Sequence, residues 1–247
     1  MQPTTNYLIT ASRIAAKFLQ RDFFELELLQ NSSRGTQEFC NNSYLRTKDF
    51  LKEELQKHAQ FLFFSDEQLS FNNDATIAIL INPIEGMQNL AKSIPFFAIN
   101  ITYLKKSPQG FVPFFSVINF PALNEIYYAE KGAGVWSEGK VNTNITRLRI
   151  SSNNSVDQAI VATDDIATGL KISKNIRLFG SECYHLIMFA AGKCDIFYSS
   201  TTDYSLKTAS SLIIRESGGV STSVNQGVLA SNHELIDKIK QRIIPLV

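Results

Sequence analysis

Seven residues at positions 81–87, Ile-Asn-Pro-Ile-Glu-Gly-Met, constrain the fold of this chain more than any other segment. They follow the apolar run at residues 75–81, which predicts a buried strand. We expect the strand to meet a turn and then the start of a helix. Backbone N–H groups at a helix start attract anions. The segment is therefore a good place to hold a phosphate together with metal ions.

Predicted helices and strands alternate along the rest of the chain, without a long linker or an internal repeat. The predicted helices cover residues 7–29, 46–58, 181–191, 206–217 and 233–244. The predicted strands cover residues 61–64, 75–81, 98–104, 111–118, 126–129, 159–162, 177–179 and 195–198. Residues 130–136 predict a hairpin turn, and Gly218 with Gly219 predicts a helix end. This order predicts an α/β (α+β) fold.

Length and composition limit the class of protein. A chain of 247 residues can bury a large core, and 44% apolar with 19% charged residues is ordinary for a globular protein. The net charge of +1 favours neither a nucleic-acid partner nor a membrane partner. No apolar run reaches the roughly 18 residues of a membrane span. We expect one domain over residues 1–247 with two lobes, about 1–150 and about 151–247.

Two features of the sequence bear on where in the cell the protein is found. Arg13, Lys17 and Arg21 on the first helix are compatible with an organelle-targeting peptide, but acidic residues continue the helix, which favours a surface helix packed on the core. The three cysteines are too widely spaced for a zinc site and odd in number. We therefore expect a reducing cytoplasm.

The segment at residues 81–87 resembles the Asp-Pro-Ile-Asp-Gly-Thr signature of the inositol monophosphatase family. Here Asn82 stands for the first Asp, Glu85 for the second and Met87 for the Thr. Further blocks resemble the family in the same order, at residues 120–134, 177–181, 190–195, 213–220 and 228–232. Together they run from about residue 7 to the C-terminus, and the SuhB-like bacterial branch is the most similar. The resemblance implies a layered αβαβα sandwich and a homodimer.

The resemblance also implies an activity. Such proteins cleave phosphate monoesters with two or three magnesium ions (Mg²⁺), and metal-bound water attacks phosphorus in line. Mg²⁺ requires hard oxygen ligands in octahedral geometry. The family's Gly-Glu-Glu ligand segment falls on Ser65, Asp66 and Glu67. The Asp66–Glu67 pair is either a source of metal ligands or an ordinary pair of solvated loop acids.

The remaining implied metal ligands depart from the family. Asn82 is uncharged and bridges two ions poorly, and Glu85 reaches about one bond too far. The Ile84 carbonyl still fits its implied role. The fourth Asp falls on Leu206, and nearby Asp203 is either a substitute ligand or a loop acid or helix cap. About four carboxylate charges thus fall to roughly two, and we expect at most one weakly held Mg²⁺.

Water activation and substrate binding are affected differently. The family's water-orienting pair falls on Asp49 and Met87, and a thioether accepts hydrogen bonds only weakly. Losing one such polar group costs about 10²–10³ in rate. We therefore predict impaired or lost phosphatase activity. Backbone N–H groups of Gly86 and Met87 can still bind phosphate.

The implied polyol-binding segment is Gly180-Ser181-Glu182, although Glu182 adds bulk and charge where the family has Ala. The family's polyol-binding Glu falls near Ser199. Ser181 is equally well interpreted as a helix N-cap. His58, His185 and His233 are isolated, and a Cys183–His185 nucleophile pair is disfavoured because both residues project from one helix.

Three classes of function remain open. The first is a pseudophosphatase that acts by binding a protein or a phosphorylated ligand, such as a small polyol or sugar phosphate. The second is an active Mg²⁺-dependent phosphatase whose rearranged site uses Glu67 or Asp203. The third is a structural subunit of a homodimer.

Overall fold

The computed structural model describes residues 3–28, 33–67, 75–139, 145–201, 203–224 and 226–243. The helices in these ranges are α1 (Pro3–Leu28), α2 (Ser33–Leu55), α3 (Met87–Ala91), α4 (Ile166–Ile172), α5 (Glu182–Ala190), α6 (Tyr204–Glu216) and α7 (His233–Ile243). The strands of the first sheet are β1 (Phe61–Phe64), β2 (Ile77–Glu85), β3 (Ala98–Ser107), β4 (Gly110–Phe120), β5 (Glu125–Glu130), β6 (Gly134–Glu138) and β7 (Thr146–Leu148). Those of the second are β8 (Ile160–Thr163), β9 (Asn175–Arg177), β10 (Ile196–Ser199), β11 (Val220–Val224) and β12 (Gly227–Ser231).

The first sheet carries its seven strands in chain order, β1 to β7. Strands β1 and β2 are parallel, and every later neighbouring pair is antiparallel. Successive side chains of a strand point to opposite faces. On β5, Ile126 and Tyr128 join the core beneath α1 and α2, whereas Tyr127 and Ala129 join the core beneath α5 and α6. Both faces are covered, which explains why these strands are apolar throughout.

The second sheet has the order β11-β12-β10-β8-β9. Strand β8 is parallel to β9 and β10, and β12 is antiparallel to β10 and β11. Helices α5 and α6 lie between the two sheets, and α4 with α7 covers the outer face of the second sheet. The predicted αβαβα layering is therefore confirmed. The division into two lobes stays a prediction.

The N-terminal helix α1 packs on the core as a surface helix. Leu8, Ala15 and Leu19 are fully buried against the first sheet, while Arg13 and Lys17 are exposed. The packing expected of a surface helix is therefore confirmed. Among the described helices, none is both long and apolar enough to cross a membrane.

The second helix differs most from its prediction. Residues 46–58 were expected, but α2 runs from Ser33 to Leu55. Its first half is polar and lacks a strong apolar stripe, so its helical state depends on packing against α1, which buries Cys40 and Ser43. The predicted end at residue 58 is also wrong, because the chain leaves the helix in a turn in which the His58 N–H donates to the Leu55 carbonyl.

Several strand predictions need correction. Strand β2 does not end at residue 81 but continues to Glu85, and its pairing with β3 shifts register between Asn82 and Glu85. This irregularity accommodates Pro83, which cannot donate a ladder hydrogen bond. Strand β9 covers Asn175–Arg177 rather than residues 177–179. Helix α4 and strands β6, β7 and β11 were not predicted from the sequence.

Candidate functional site

The signature segment, residues 81–87, begins at the C-terminal end of β2, where the pairing of β2 with β3 is irregular. Asn82 and Ile84 are buried, and Asn82 pairs in register with Asn100 of β3. The next regular pair is Glu85 with Ala98. Pro83 and Ile84 therefore lie outside the regular ladder. The bulge turns the following residues toward the space between the two sheets.

Gly86 makes the turn into α3. Its backbone has φ +80°, and a Cβ there would lie 2.9 Å from the Phe96 carbonyl oxygen. Only glycine fits both the left-handed conformation and this close approach. The predicted helix start is confirmed, and helix geometry leaves the N–H groups of Met87 and Gln88 without intrahelical acceptors.

Glu85 binds the beginning of α5 with both carboxylate oxygens. Oε2 accepts from the Ser181 hydroxyl, and Oε1 accepts from the Glu182 N–H at 2.9 Å. Ser181 is the N-cap of α5, which confirms that prediction. Burial raises the pKa of Glu85, against the opposing hydrogen bonds. The extra methylene relative to Asp thus lets the carboxylate reach a helix N-terminus, where negative charge is favoured.

Glu182 extends from the first turn of α5 toward β10. Its carboxylate accepts a short hydrogen bond from the Ser199 hydroxyl. Burial, reinforced by the nearby charges of Asp164 and Glu85, raises the pKa of Glu182 to about 7. The resemblance places the family's polyol-binding Glu near Ser199. In this chain the carboxylate beside Ser199 is that of Glu182 instead.

These residues enclose a cavity of about 370 Å³. Its lining includes Glu85, Gly86, Met87, Gly180, Ser181 and Glu182. Gly180 has φ +71° and packs so closely on Asn89 that a Cβ would lie 2.8 Å from Oδ1. Asn89 itself donates to the carbonyls of Phe96 and Phe179, at 2.7 and 2.8 Å. The structure thus brings the signature and the predicted polyol segment to one cavity.

His185 lines the same cavity from α5 and is nearly fully buried. Its Nε2 accepts from the Phe179 N–H at 2.9 Å, while Nδ1 has no hydrogen-bond partner among the described residues. Burial lowers the pKa of His185 to about 4, outweighing the charge of Asp164. The ring is therefore neutral at physiological pH. The sequence analysis did not assign His185 to the site.

Asp66 and Glu67 lie after β1 and form ion pairs with one lysine. The Lys48 Nζ is 2.9 Å from Asp66 Oδ1 and 3.1 Å from Glu67 Oε1. Burial acts to raise the pKa of Asp66, but the hydrogen bonds and charge of Lys48 outweigh it and lower that pKa. The sequence analysis did not single out Lys48, because nothing in the local pattern distinguishes it from other lysines of α2.

A second cavity, of about 530 Å³, joins this acidic pair to the signature. Asp66, Glu67, Asn82 and Asp203 all line it. The Asn82 Nδ2 donates to Asp203 Oδ2 at 3.2 Å, and Asp203 Oδ1 accepts from the Ser205 N–H at 2.7 Å. Asp203 is therefore the N-cap of α6, as one of its two interpretations predicted, and it also contacts the signature.

Three of the predicted positions, Asp49, Ile84 and Leu206, are not among the residues that line these two cavities. Leu206 is 2% exposed and packs in the core between the sheets. Asp49 is exposed on α2 and is not among the side chains that line either cavity. Within the described ranges, no three His, Cys, Asp or Glu side chains are grouped so as to hold a metal ion.

Comparison with known proteins agrees with the fold. The profile of the inositol monophosphatase family matches residues 1–246. The inositol-1-monophosphatase of Caulobacter vibrioides is 30% identical over 261 residues, covering 96% of this chain and 99% of that protein. The crystal structure of extragenic suppressor protein suhB from Bartonella henselae has a TM-score of 0.81 at 22% identity, covering 98% of this chain and 99% of that one.

A structure of SaIMPase-II bound to inositol monophosphate also has this fold. It has a TM-score of 0.74 at 14% identity, and the match covers 99% of this chain and 95% of that one. The family profile spans nearly the whole sequence, and the layered sheets are those of solved relatives. This chain belongs to the inositol monophosphatase family and is similar to its SuhB-like members.

Proposed function

We propose that this protein keeps the ligand-binding architecture of its family, that its Mg²⁺-dependent hydrolysis of phosphate monoesters is impaired or lost, and that it acts by binding. The observation that carries this proposal is the state of the carboxylates. Asp66 and Glu67 share the Lys48 ammonium, and both oxygens of Glu85 are bound to the start of α5. None of these three carboxylates has its full charge available to a metal ion.

The arrangement does not suit a two-metal centre. Two Mg²⁺ ions bring four positive charges and need oxygen ligands in octahedral geometry. Asn82 supplies an uncharged amide, and its Nδ2 is turned toward Asp203. Leu206 supplies no ligand and is buried in the core. We expect at most one weakly held ion, with Asp66, Glu67, Asn82 and the Ile84 carbonyl as its ligands.

Water activation is the second reason to propose lost chemistry. Met87 has no group that orients water, and Asp49 is exposed on α2. Because uncatalysed hydrolysis of phosphate monoesters is extremely slow, partial catalysis yields almost no turnover. Each missing polar group is expected to cost about 10²–10³ in rate.

We infer that the ligand is a small phosphorylated polyol or sugar. The bound inositol monophosphate of SaIMPase-II supports this class of ligand. In our proposal the N–H groups of Gly86 and Met87 contact phosphate, and Gly180, Ser181 and Glu182 contact the hydroxyl groups. The cavity of about 370 Å³ between these segments is compatible with such a ligand.

Location and assembly are part of the proposal. All three cysteines are buried and free, which is compatible with the reducing cytoplasm. A homodimer is proposed from the family resemblance alone. Sedimentation of the purified protein tests the dimer, and a monomer at micromolar concentration contradicts it.

One observation favours the alternative, an active phosphatase with a rearranged site. Asp203 lies within hydrogen-bonding distance of Asn82 and lines the same cavity as Asp66 and Glu67. A rotation of the Asp203 side chain away from its cap would bring a third carboxylate toward this cavity. The loss of the α6 cap opposes this rearrangement, since a cap contributes about 1 kcal/mol.

A phosphate-release assay separates the two proposals. The parent protein is compared with Asn82→Asp/Met87→Thr over several sugar and polyol phosphates, with millimolar Mg²⁺. We expect no release by the parent and measurable release by the double variant. Leu206→Asp is added only in a third protein, because a carboxylate in the core is costly to bury. Robust release by the parent, abolished by Asp203→Asn, supports the alternative instead.

A further inference from the structure

Lys48 contacts three carboxylate oxygens at once. Its Nζ lies 2.9 and 3.0 Å from the two oxygens of Asp66 and 3.1 Å from Glu67 Oε1. The lysine side chain is only 18% exposed, whereas the two acids are 48% and 44% exposed. The ammonium is thus more deeply placed than the carboxylates that surround it, unlike a typical surface ion pair.

The groups around this ammonium are themselves held. Glu67 Oε2 accepts from the Phe64 N–H at 3.3 Å, and the Glu67 N–H donates to the Phe64 carbonyl at 3.0 Å. Lys48 Nζ lies 4.8 Å from the centre of the Phe64 ring, a cation–π distance, and Phe64 is buried in the core. Tyr44 lies one helical turn before Lys48, beside Asp66. Helix α2 and strand β1 together therefore fix the ammonium and its acceptors.

The Lys48 side chain ends in an ammonium group, which carries a positive charge and three N–H donors but no acceptor. An ammonium bound covalently to the fold is always present at its acceptors, whereas a free ion must lose its hydration shell and its translational freedom to bind there.

A divalent ion at the same oxygens would face the Lys48 charge. Like charges repel, and the repulsion is strongest at contact distances. The acidic pair has two carboxylates, and Lys48 offsets the charge of one of them. Less attraction is therefore left for a hydrated dication.

We propose that Lys48 is a resident cation for Asp66 and Glu67, a tethered ammonium that occupies their acceptors and opposes the binding of divalent ions there. This inference rests on the proposed loss of metal-dependent chemistry and gives it a physical cause. Asp66, Glu67, Asn82 and Asp203 line one cavity, and their side chains carry oxygen atoms of the kind that a hard cation prefers. In this proposal Lys48 weakens divalent-ion binding in addition to the shortage of carboxylate ligands.

The test is a titration with Mn²⁺ alone, followed by calorimetry and by thermal unfolding. Lys48→Gln removes the charge, and Lys57→Gln is the matched control, because Lys57 pairs with Glu54 on the exposed end of α2. We expect Lys48→Gln to bind Mn²⁺ at least about tenfold more tightly than the parent and to gain a Mn²⁺-dependent rise in melting temperature. Lys57→Gln should behave as the parent does.

Two further variants make the outcome decisive. The double variant Lys48→Gln/Asp66→Asn should lose the Mn²⁺ affinity that Lys48→Gln gains. If Lys48→Gln folds poorly, Lys48→Met replaces it, because Met keeps an apolar side chain against Phe64. Equal Mn²⁺ affinity in the parent, Lys48→Gln and Lys48→Met overturns the role of Lys48, whether or not any of these proteins releases phosphate. Release of phosphate by the parent with Mg²⁺ overturns the proposed function, whatever the Lys48 variants bind.

Discussion

Glu85 and Ser181 lie 96 positions apart in the chain, and the Ser181 hydroxyl donates a hydrogen bond to the Glu85 carboxylate. The same Ser181 oxygen accepts from the Tyr184 N–H at 3.2 Å, so the residue both caps α5 and fixes Glu85. The contact joins the end of β2 in the first sheet to the helix between the sheets. It also holds the Glu85 carboxylate, which stands at the second Asp position of the signature, at the start of α5.

Shortening Glu85 should destabilise the fold. Asp at this position is one bond too short to reach both Ser181 and the Glu182 N–H, so buried polar groups lose their partners. We expect Glu85→Asp to lower the free energy of unfolding by about 1–3 kcal/mol in urea titrations. Glu54→Asp, on the exposed part of α2, is the control and should change it by less than about 0.5 kcal/mol. Equal midpoints for the two variants would contradict the assigned contact.

Gly86 should tolerate alanine much less well than Gly132. Both glycines have left-handed backbones, φ +80° and φ +81°, so alanine is strained at either position by roughly 1–2 kcal/mol. At Gly86 the new Cβ would also lie 2.9 Å from the Phe96 carbonyl oxygen, whereas nothing lies within 4 Å at Gly132. Chemical denaturation should therefore rank Gly86→Ala below Gly132→Ala. Equal stability of the two variants would mean that the chain relieves the contact between the new Cβ and the Phe96 carbonyl oxygen without losing stability.

Glu182 should make stability depend on pH. Its pKa is raised to about 7 in the folded protein, from 4.5, because burial disfavours the charged form. The folded state therefore binds more protons than the unfolded state between these values. The contribution of Glu182 is fully present below about pH 4.5 and is lost as the pH rises to about 7. Its size is of the order of 3 kcal/mol.

Glu182→Gln is expected to remove this slope when unfolding is followed from pH 4.5 to 7.5. His185 gives a slope of the opposite sign: its folded pKa is lowered to about 4, from 6.5, so its contribution is present above pH 6.5 and is lost as the pH falls toward 4. The parent curve is the sum of both. A difference curve between parent and Glu182→Gln that rises with pH would refute the assignment.

Arg46 should matter more than another arginine of similar exposure. Arg46 pairs with Asp22, which is fully buried, while Arg13 pairs with Glu138 in a part-exposed pair. Arg46→Met removes the hydrogen-bonded cation of a buried carboxylate and leaves Arg21 at 3.8 Å from Asp22 Oδ1. We expect a loss of roughly 2–4 kcal/mol in the free energy of unfolding. Arg13→Met should lose under about 1 kcal/mol. Thermal and urea unfolding of the two variants give the comparison.

The sequence predicted the long apolar strands and most helix boundaries to within a few residues. Apolar runs at residues 61–64 and 98–104 mark strands of a sheet covered on both faces, and the structure has β1 and β3 there. The start of α2 was wrong by thirteen positions, since residues 33–45 are polar and become helical only beside α1. Helix α4 was missed although Asp165, which caps it by accepting from the Ala167 N–H at 2.9 Å, was a readable signal.

The sequence predicted several residues of the candidate site but not the hydrogen-bond and ion-pair partners of their side chains. The sequence analysis assigned Gly86 and Ser181 to one site, and both line one cavity. It did not foresee that Lys48 pairs with Asp66, or that Glu182 contacts Ser199. These contacts join residues 18 and 17 positions apart across separate elements, so no local pattern carries them.

The amino-acid sequence alone determined the family and the layered α/β fold, because both follow from residue identity and local periodicity. Only the tertiary structure decided which charges the carboxylates of Asp66 and Glu85 meet. Asp66 meets an ammonium from α2, and Glu85 meets the N-terminus of α5. Electrostatic energy depends on distance in space rather than along the chain, and folding sets those distances.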